Sequence, residues 1–285
     1  MTATDLYKQL ENDFVTPEIT EDWYDDEMSV NDEYICDNFK QRSLGLLCDF
    51  AVEINKVYTA VFPSDKVLTK ILCAGTVNTM LFLHHPLTWD LNKNPDIAFY
   101  QINAGLLKEI KERNVSLFNF HLPLDNYGEY ATTKNLADAL QIKILKPYNN
   151  YNGALCGIIG TTECKTVKEL QNKYSQVVGH ETKLYQYGES EIKNGIVSVC
   201  AGGGNGLDTV EDLIKEGASV HITGLTVKNS YSEKSHELEK EHKINLIGGT
   251  HYSSEKFACI AMCIYFTKLG LESEFIADEP CFDDM

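Results

Sequence analysis

Two stretches of this chain end an apolar run in histidine followed closely by proline, and this repetition constrains the fold more than any other feature. The first is Leu81-Phe82-Leu83-His84-His85-Pro86-Leu87, and the second is Leu117-Phe118-Asn119-Phe120-His121-Leu122-Pro123-Leu124-Asp125. A short, continuous apolar run reads as a buried strand. Proline lacks a backbone donor and cannot continue a central strand, so each proline marks an exit. Inside a strand, neighbouring side chains face opposite ways, and His84 and His85 could not share a pocket. At an exit that restriction lapses. Between the two runs, residues 94–112 carry Ile97, Ile102, Leu106, Leu107 and Ile110 near helical spacing. Strand, helix, strand with the same functional group at each exit is the βαβ arrangement, in which ligands gather at the carboxyl edge of a mainly parallel sheet.

The rest of the chain continues this alternation. Residues 6–14 read as a helix stopped before Pro17. The charge run Glu21, Asp22, Asp25, Asp26, Glu27, Asp32 and Glu33 lacks the spacing of a calcium loop and reads as a solvated segment. Strands are expected at 44–50 and 56–62, with a helix at 65–74 that Gly75 ends. After a helix at 132–140, the polar turn at 147–153 is expected to separate two domains. These are 44–150 and 151–285, with residues 1–43 packed on the first and the carboxyl-terminal part returning to complete the site.

In the second half, strands are expected at 155–159, 176–180, 183–187, 196–201, 218–223, 244–247 and 275–277, with helices at 167–174, 208–216, 232–242 and 257–269. The turn Gly202-Gly203-Gly204-Asn205-Gly206 matches neither a Walker loop nor G-x-G-x-x-G. It serves either as a structural tight turn or as a phosphate or substrate contact. A third strand exit follows in Gly249-Thr250-His251-Tyr252-Ser253-Ser254-Glu255.

Collected by position, the exits supply His84 and His85, then His121 with Asp125, then His251 with Glu255. A single histidine at a strand end is ordinarily a satisfied core or surface residue. Four histidines and two carboxylates suit two divalent ions of the zinc, iron or manganese class, imidazole giving neutral donors and carboxylate giving charge. Two close ions lower the pKa of a shared water and polarise the electrophile it attacks. Either Asp125 or Glu255 could bridge them. His236, on a polar helical pattern, is read both as a surface residue and as a candidate acid–base group. His180, His221 and His242 are unassigned.

Composition narrows the function classes. With 25 basic and 42 acidic residues the formal net charge is −17, which argues against general binding to nucleic acid or anionic membranes. A small anionic substrate stays compatible, because bound divalent cations reverse the sign of a pocket. The nine cysteines form no C-x-x-C pair, so neither a disulfide framework nor a thiolate zinc site is suggested, and a reduced cytoplasmic setting fits. No stretch reaches the roughly 18 apolar residues of a membrane span.

The three histidine motifs, in this order, resemble the Nif-three-like dinuclear metal-centre family, some members of which carry the name GTP cyclohydrolase I type 2. The resemblance runs from about Leu44 to the carboxyl end and includes the strand before the glycine turn and Ile222-Thr223-Gly224. It implies two intertwined α/β domains with a duplicated motif and mixed sheets, a two-metal site in the cleft between them, and ring-shaped homohexamers. It carries the metal-ligand role to His84, His85, His121, Asp125, His251 and Glu255. It also implies a hydrolase acting on a small anionic, nucleotide-like substrate. The alternatives are a non-catalytic metal-binding or regulatory scaffold and a protein with purely structural zinc. Two departures stand out. Leu225 occupies the place where the family commonly has an acidic residue, and an acidic insertion separates Trp23 from Gly45-Leu46.

Overall fold

Strand Thr79–Leu83 is buried along its whole length because it lies at the centre of a five-stranded sheet, in the order Gly45–Cys48, Val115–Asn119, Thr79–Leu83, Lys56–Ala60, Glu272–Phe275. The computed structural model describes residues 1–24, 31–91, 93 and 98–285. Both faces of the central strand are covered. Leu81 and Leu83, with Leu117 beside them, share one apolar cluster with Leu68 and Ile71 of helix Asp65–Ala74 and Leu107 and Ile110 of helix Ala104–Glu112. The opposite face presents Phe82 and Phe118 to Phe120, Phe266 and Tyr7, the last from helix Ala3–Phe14.

The chain forms two compact units, Met1–Leu124 with Cys259–Glu279, and Asp125–Ala258 with Pro280–Met285. The units are interleaved in sequence. Each contains the same run of three parallel strands joined by two helices. In the first unit the run is Lys56–Ala60, Asp65–Ala74, Thr79–Leu83, Ala104–Glu112 and Val115–Asn119. In the second it is Ile196–Cys200, Leu207–Lys215, Val220–Thr223, Glu233–Glu241 and Asn245–Gly248. Antiparallel strands flank the parallel core, making both sheets mixed: Gly45–Cys48 in the first, and Ala154–Thr161, Lys143–Tyr151 and Lys183–Tyr185 in the second. The duplicated α/β architecture expected from the sequence is therefore present.

Register decides where the histidines emerge. Leu83 pairs with Asn119 in the first sheet, and Cys200, Thr223 and Gly248 stand level in the second. The residues that follow each strand therefore leave at one edge of its sheet.

Several local expectations give way to tertiary context. The helix expected at 94–112 is shorter, Ala104–Glu112, and the Asn103 side chain starts it by accepting from the amides of Gly105 and Leu106. Strands Thr88–Trp89 and Phe99–Tyr100 pair before it, and residues 94–97 lie outside the described residues. The polar turn expected at 147–153 is mostly strand Lys143–Tyr151, with only Asn152 and Gly153 turning, both at positive φ as a tight hairpin requires. Pro147 is tolerated because this strand lies at the sheet edge. The strand expected at 176–180 is instead the end of helix Val167–Val178 and the Gly179 cap that closes it.

The central aromatic packing should dominate the stability of the first unit. Phe82→Ala, at a fully buried site among Phe118, Phe120 and Phe266, is expected to cost about 3–5 kcal/mol. Denaturant unfolding of the full chain measures it.

Candidate metal centre

In the first unit, the backbone of strand Thr79–Leu83 keeps pairing for two residues past its end. The His84 amide donates to the Ala60 carbonyl and the His85 amide to the Val61 carbonyl. Asn119 holds the exit from the neighbouring strand, its Nδ2 donating to the His84 carbonyl at 2.6 Å. The two rings are then free to turn inward together, with centroids 4.4 Å apart. His121 joins them at 5.2 Å from His84 and 4.9 Å from His85. One ligand atom from each of the three histidines lies within 4.8 Å of the others, a spacing at which they could hold a metal ion. His84 and His85 are almost wholly buried.

Orientation is also set. His84 Nδ1 lies 3.1 Å from the Phe120 carbonyl, which can only accept, so the proton sits on Nδ1 and Nε2 keeps its lone pair. His85 stacks on Phe62 at 4.7 Å with its ring plane 15° off parallel.

The second unit carries the other three expected ligands. His251 opens helix His251–Lys268, and Glu255 follows one turn later, so Nε2 of the first lies 3.2 Å from Oε1 of the second. The helix begins there because Thr250 and Ser253 cap each other: Ser253 N donates to Thr250 Oγ1 and Thr250 N to Ser253 Oγ, both at 3.1 Å. The buried carboxylate of Asp284 accepts the His251 amide at 2.7 Å, a favourable place for negative charge. Asp125 accepts a hydrogen bond from the Thr132 hydroxyl. Burial pushes the Cys200 thiol up to about 12, and the nearby charges of Asp125 and then Glu255 push the same way.

Residues 35–280 match the family described as Duf34/NIF3 (NGG1p interacting factor 3). The chain belongs to this family. A protein of Pyrococcus horikoshii named GTP cyclohydrolase 1 type 2 homolog is 28% identical over 83% of this chain and 89% of its own length. A protein of the same name from Borreliella burgdorferi is 28% identical over 86% of this chain and 90% of its own. The solved structure of protein ybgI superposes with a TM-score of 0.76 at 19% identity, covering 99% of this chain and all of that one, which supports the fold.

In this NIF3-family chain several residues near the expected ligands carried no local signal. Glu21, from the run expected to be solvated, packs against His121, Trp23 beside it packs against His85 and His121, and the Glu21 side chain is 1% exposed. Asp25, Asp26 and Glu27 of that run lie outside the described residues, while Asp32 is exposed and pairs with Lys40. The nearest hint for Glu21 was the tryptophan two residues on.

The glycine turn has a packing role. Gly202 sits at φ +63°, and a Cβ there would fall 1.9 Å from Glu255 Oε1. His236 is buried and not a surface residue. Its Nε2 lies 3.0 Å from the Thr226 carbonyl and its Nδ1 lies 2.9 Å from the Tyr187 hydroxyl. Among the described residues it belongs to no metal-competent group.

Two outcomes follow. Gly202→Ala should destabilise the chain by about 1–3 kcal/mol, through strain and displacement of Glu255, in urea denaturation. Burial holds the His236 pKa below its ordinary 6.5, with Glu239 and the Thr226 carbonyl pulling the other way. The unfolded chain then takes up the proton first, so the stability present above pH 6.5 is lost as pH falls from there toward the lower folded value. Tm should drop across that window, and His236→Gln should flatten the drop. His180, also depressed by burial, supplies a residual slope.

Proposed function

We propose that this chain is a dinuclear divalent-metal-dependent hydrolase of a small anionic, nucleotide-like substrate, with His84, His85, His121, Asp125, His251 and Glu255 as the metal ligands. The observation that carries the reading is the three-histidine cluster, with His84 and His85 buried and His121 half-buried, whose ligand atoms lie within 4.8 Å of one another. Phe62 and Trp23 pack against these rings, and three imidazoles gathered at one strand edge form a set of nitrogen donors of the kind that holds a divalent ion. A donor set of imidazole and carboxylate suits ions of the zinc, iron or manganese class. Such ions, when bound, supply Lewis acidity and an activated water. The nucleotide-like substrate rests on the shared name of the two relatives.

The chain's own residues divide the remaining tasks. His84 is kept in one tautomer by the Phe120 carbonyl, and Glu255 is held between His251 and the Gly202 turn. A proton-transfer role for His236 runs through the Tyr187 hydroxyl, since its other ring nitrogen is committed to the Thr226 carbonyl. Assembly into a ring-shaped homohexamer and a cytoplasmic location belong to the same reading. The nine cysteines, none of them in a C-x-x-C pair, suit a reducing compartment, and among the described residues no helix is long and apolar enough to cross a membrane.

Metal analysis of the purified chain together with a nucleotide and phosphoester panel tests the proposal. Two ions per chain are expected, with hydrolysis of at least one nucleotide falling by about 100-fold or more in Glu255→Ala, the scale on which loss of an electrostatic catalytic group is felt. A fully loaded protein inert across the panel, with a protein partner retained by the double variant His84→Ala/His251→Ala, would instead establish the scaffold role. Unfolding on chelation alone would mark structural zinc.

A further inference from the structure

The amino-terminal charge run does more than solvate the surface. Glu21 turns inward, and its Oε1 collects three donors: His121 Nδ1 at 2.7 Å, the Leu122 amide at 2.9 Å and Trp23 Nε1 at 3.4 Å. Its other oxygen, Oε2, is buried and has no hydrogen-bond partner among the described residues. Trp23 closes over the same place, standing edge-on to His121 at 5.0 Å, to His85 at 5.9 Å and to Phe99 at 5.0 Å. The contact bridges residues 100 positions apart in sequence.

We propose that Glu21 is a positioning residue for His121, and that the segment Glu21–Trp23 completes the three-histidine cluster. The inference rests on the metal reading above. A carboxylate oxygen can only accept, so the short contact to His121 places that ring's proton on Nδ1 and leaves Nε2 as the ligand atom. The amide of Leu122, bonded to the same oxygen, fixes the backbone beside the ring. A carboxylate behind an imidazole also raises the basicity of the opposite nitrogen, which strengthens its hold on a cation. The buried Oε2 adds a second consideration. A buried acceptor oxygen short of hydrogen-bond donors favours positive charge nearby, and a divalent ion on the histidine cluster would supply it. Trp23 excludes water from the pair and so preserves the strength of both effects.

The test uses the full chain and Zn²⁺ alone, with affinity read by chelator competition. Glu21→Ala removes both the acceptor and the charge and is expected to weaken Zn²⁺ binding by about 10- to 100-fold. Glu21→Gln keeps an acceptor oxygen and should recover much of that loss. Thermal unfolding of the metal-free variants controls for the fold. Imidazole ¹⁵N spectra of the metal-free wild type provide a readout that needs no variant: His121 should carry its proton on Nδ1. A proton on Nε2 there, or wild-type Zn²⁺ affinity in Glu21→Ala, overturns the positioning role. Failure of the metal reading looks different: wild type itself would bind no Zn²⁺, or His84→Ala would leave binding unchanged, whatever Glu21 does.

Discussion

Everything at the candidate centre depends on parallel strands that stop level with one another. In a parallel sheet the hydrogen-bond register sets the height at which each strand ends. Leu83 opposite Asn119 in the first sheet, and Cys200, Thr223 and Gly248 in line in the second, put the exits of each sheet at one edge of that sheet. His84 and His85 follow at once and His121 two residues after its strand in one unit, and His251 follows three residues after its strand in the other. A slip of one residue would turn the core side chains to the wrong face. The aromatic contacts of Phe82 and Phe118, and the packing of Leu81 and Leu83 on two helices, make such a slip costly.

The second requirement is that polar groups taken out of water be held. Four of the expected ligands, His84, Asp125, His251 and Glu255, have a dedicated support. Asn119 clasps the His84 carbonyl, the Phe120 carbonyl orients the His84 ring, Thr132 bonds Asp125, and Asp284 receives the His251 amide. Gly202 leaves room for Glu255. These supports cost packing volume that apolar residues could have filled. That cost suits a site whose donors must be presented in one orientation.

Much of the fold was legible because its signals are local. The apolar runs at 79–83 and 115–119, the helix at 65–74 ended by Gly75, and the strand, glycine turn and helix from 196 onward all stand close to where periodicity and turn chemistry put them. The misses have equally specific causes. Residues 176–180, expected as a strand, include the β-branched pair Val177 and Val178, yet helix Val167–Val178, started by the Thr166–Glu169 capping box, runs through to them. Pro147 suggested a turn, yet an edge strand accepts it. His236 looked like a surface residue on a charged helix, and is buried because the inward face of that helix is itself polar, with Ser235 and Glu239 beside it.

The amino-acid sequence by itself determined the donors and their exits: which strands are buried, which prolines end them, and which imidazoles and carboxylates follow. These are properties of neighbouring residues, and hydrophobic period and proline chemistry express them without reference to the rest of the chain. Only tertiary structure decided which polar groups stand behind those donors. Glu21 is one of several similar acids in a charge run, and Asp284 is one of several in an acidic tail. What separates each from its neighbours is a hydrogen bond to a residue 100 positions away in one case and 33 in the other. A carboxylate is stable in water or against a donor alike, so its local sequence does not distinguish the two, and the choice between them is made where distant segments meet.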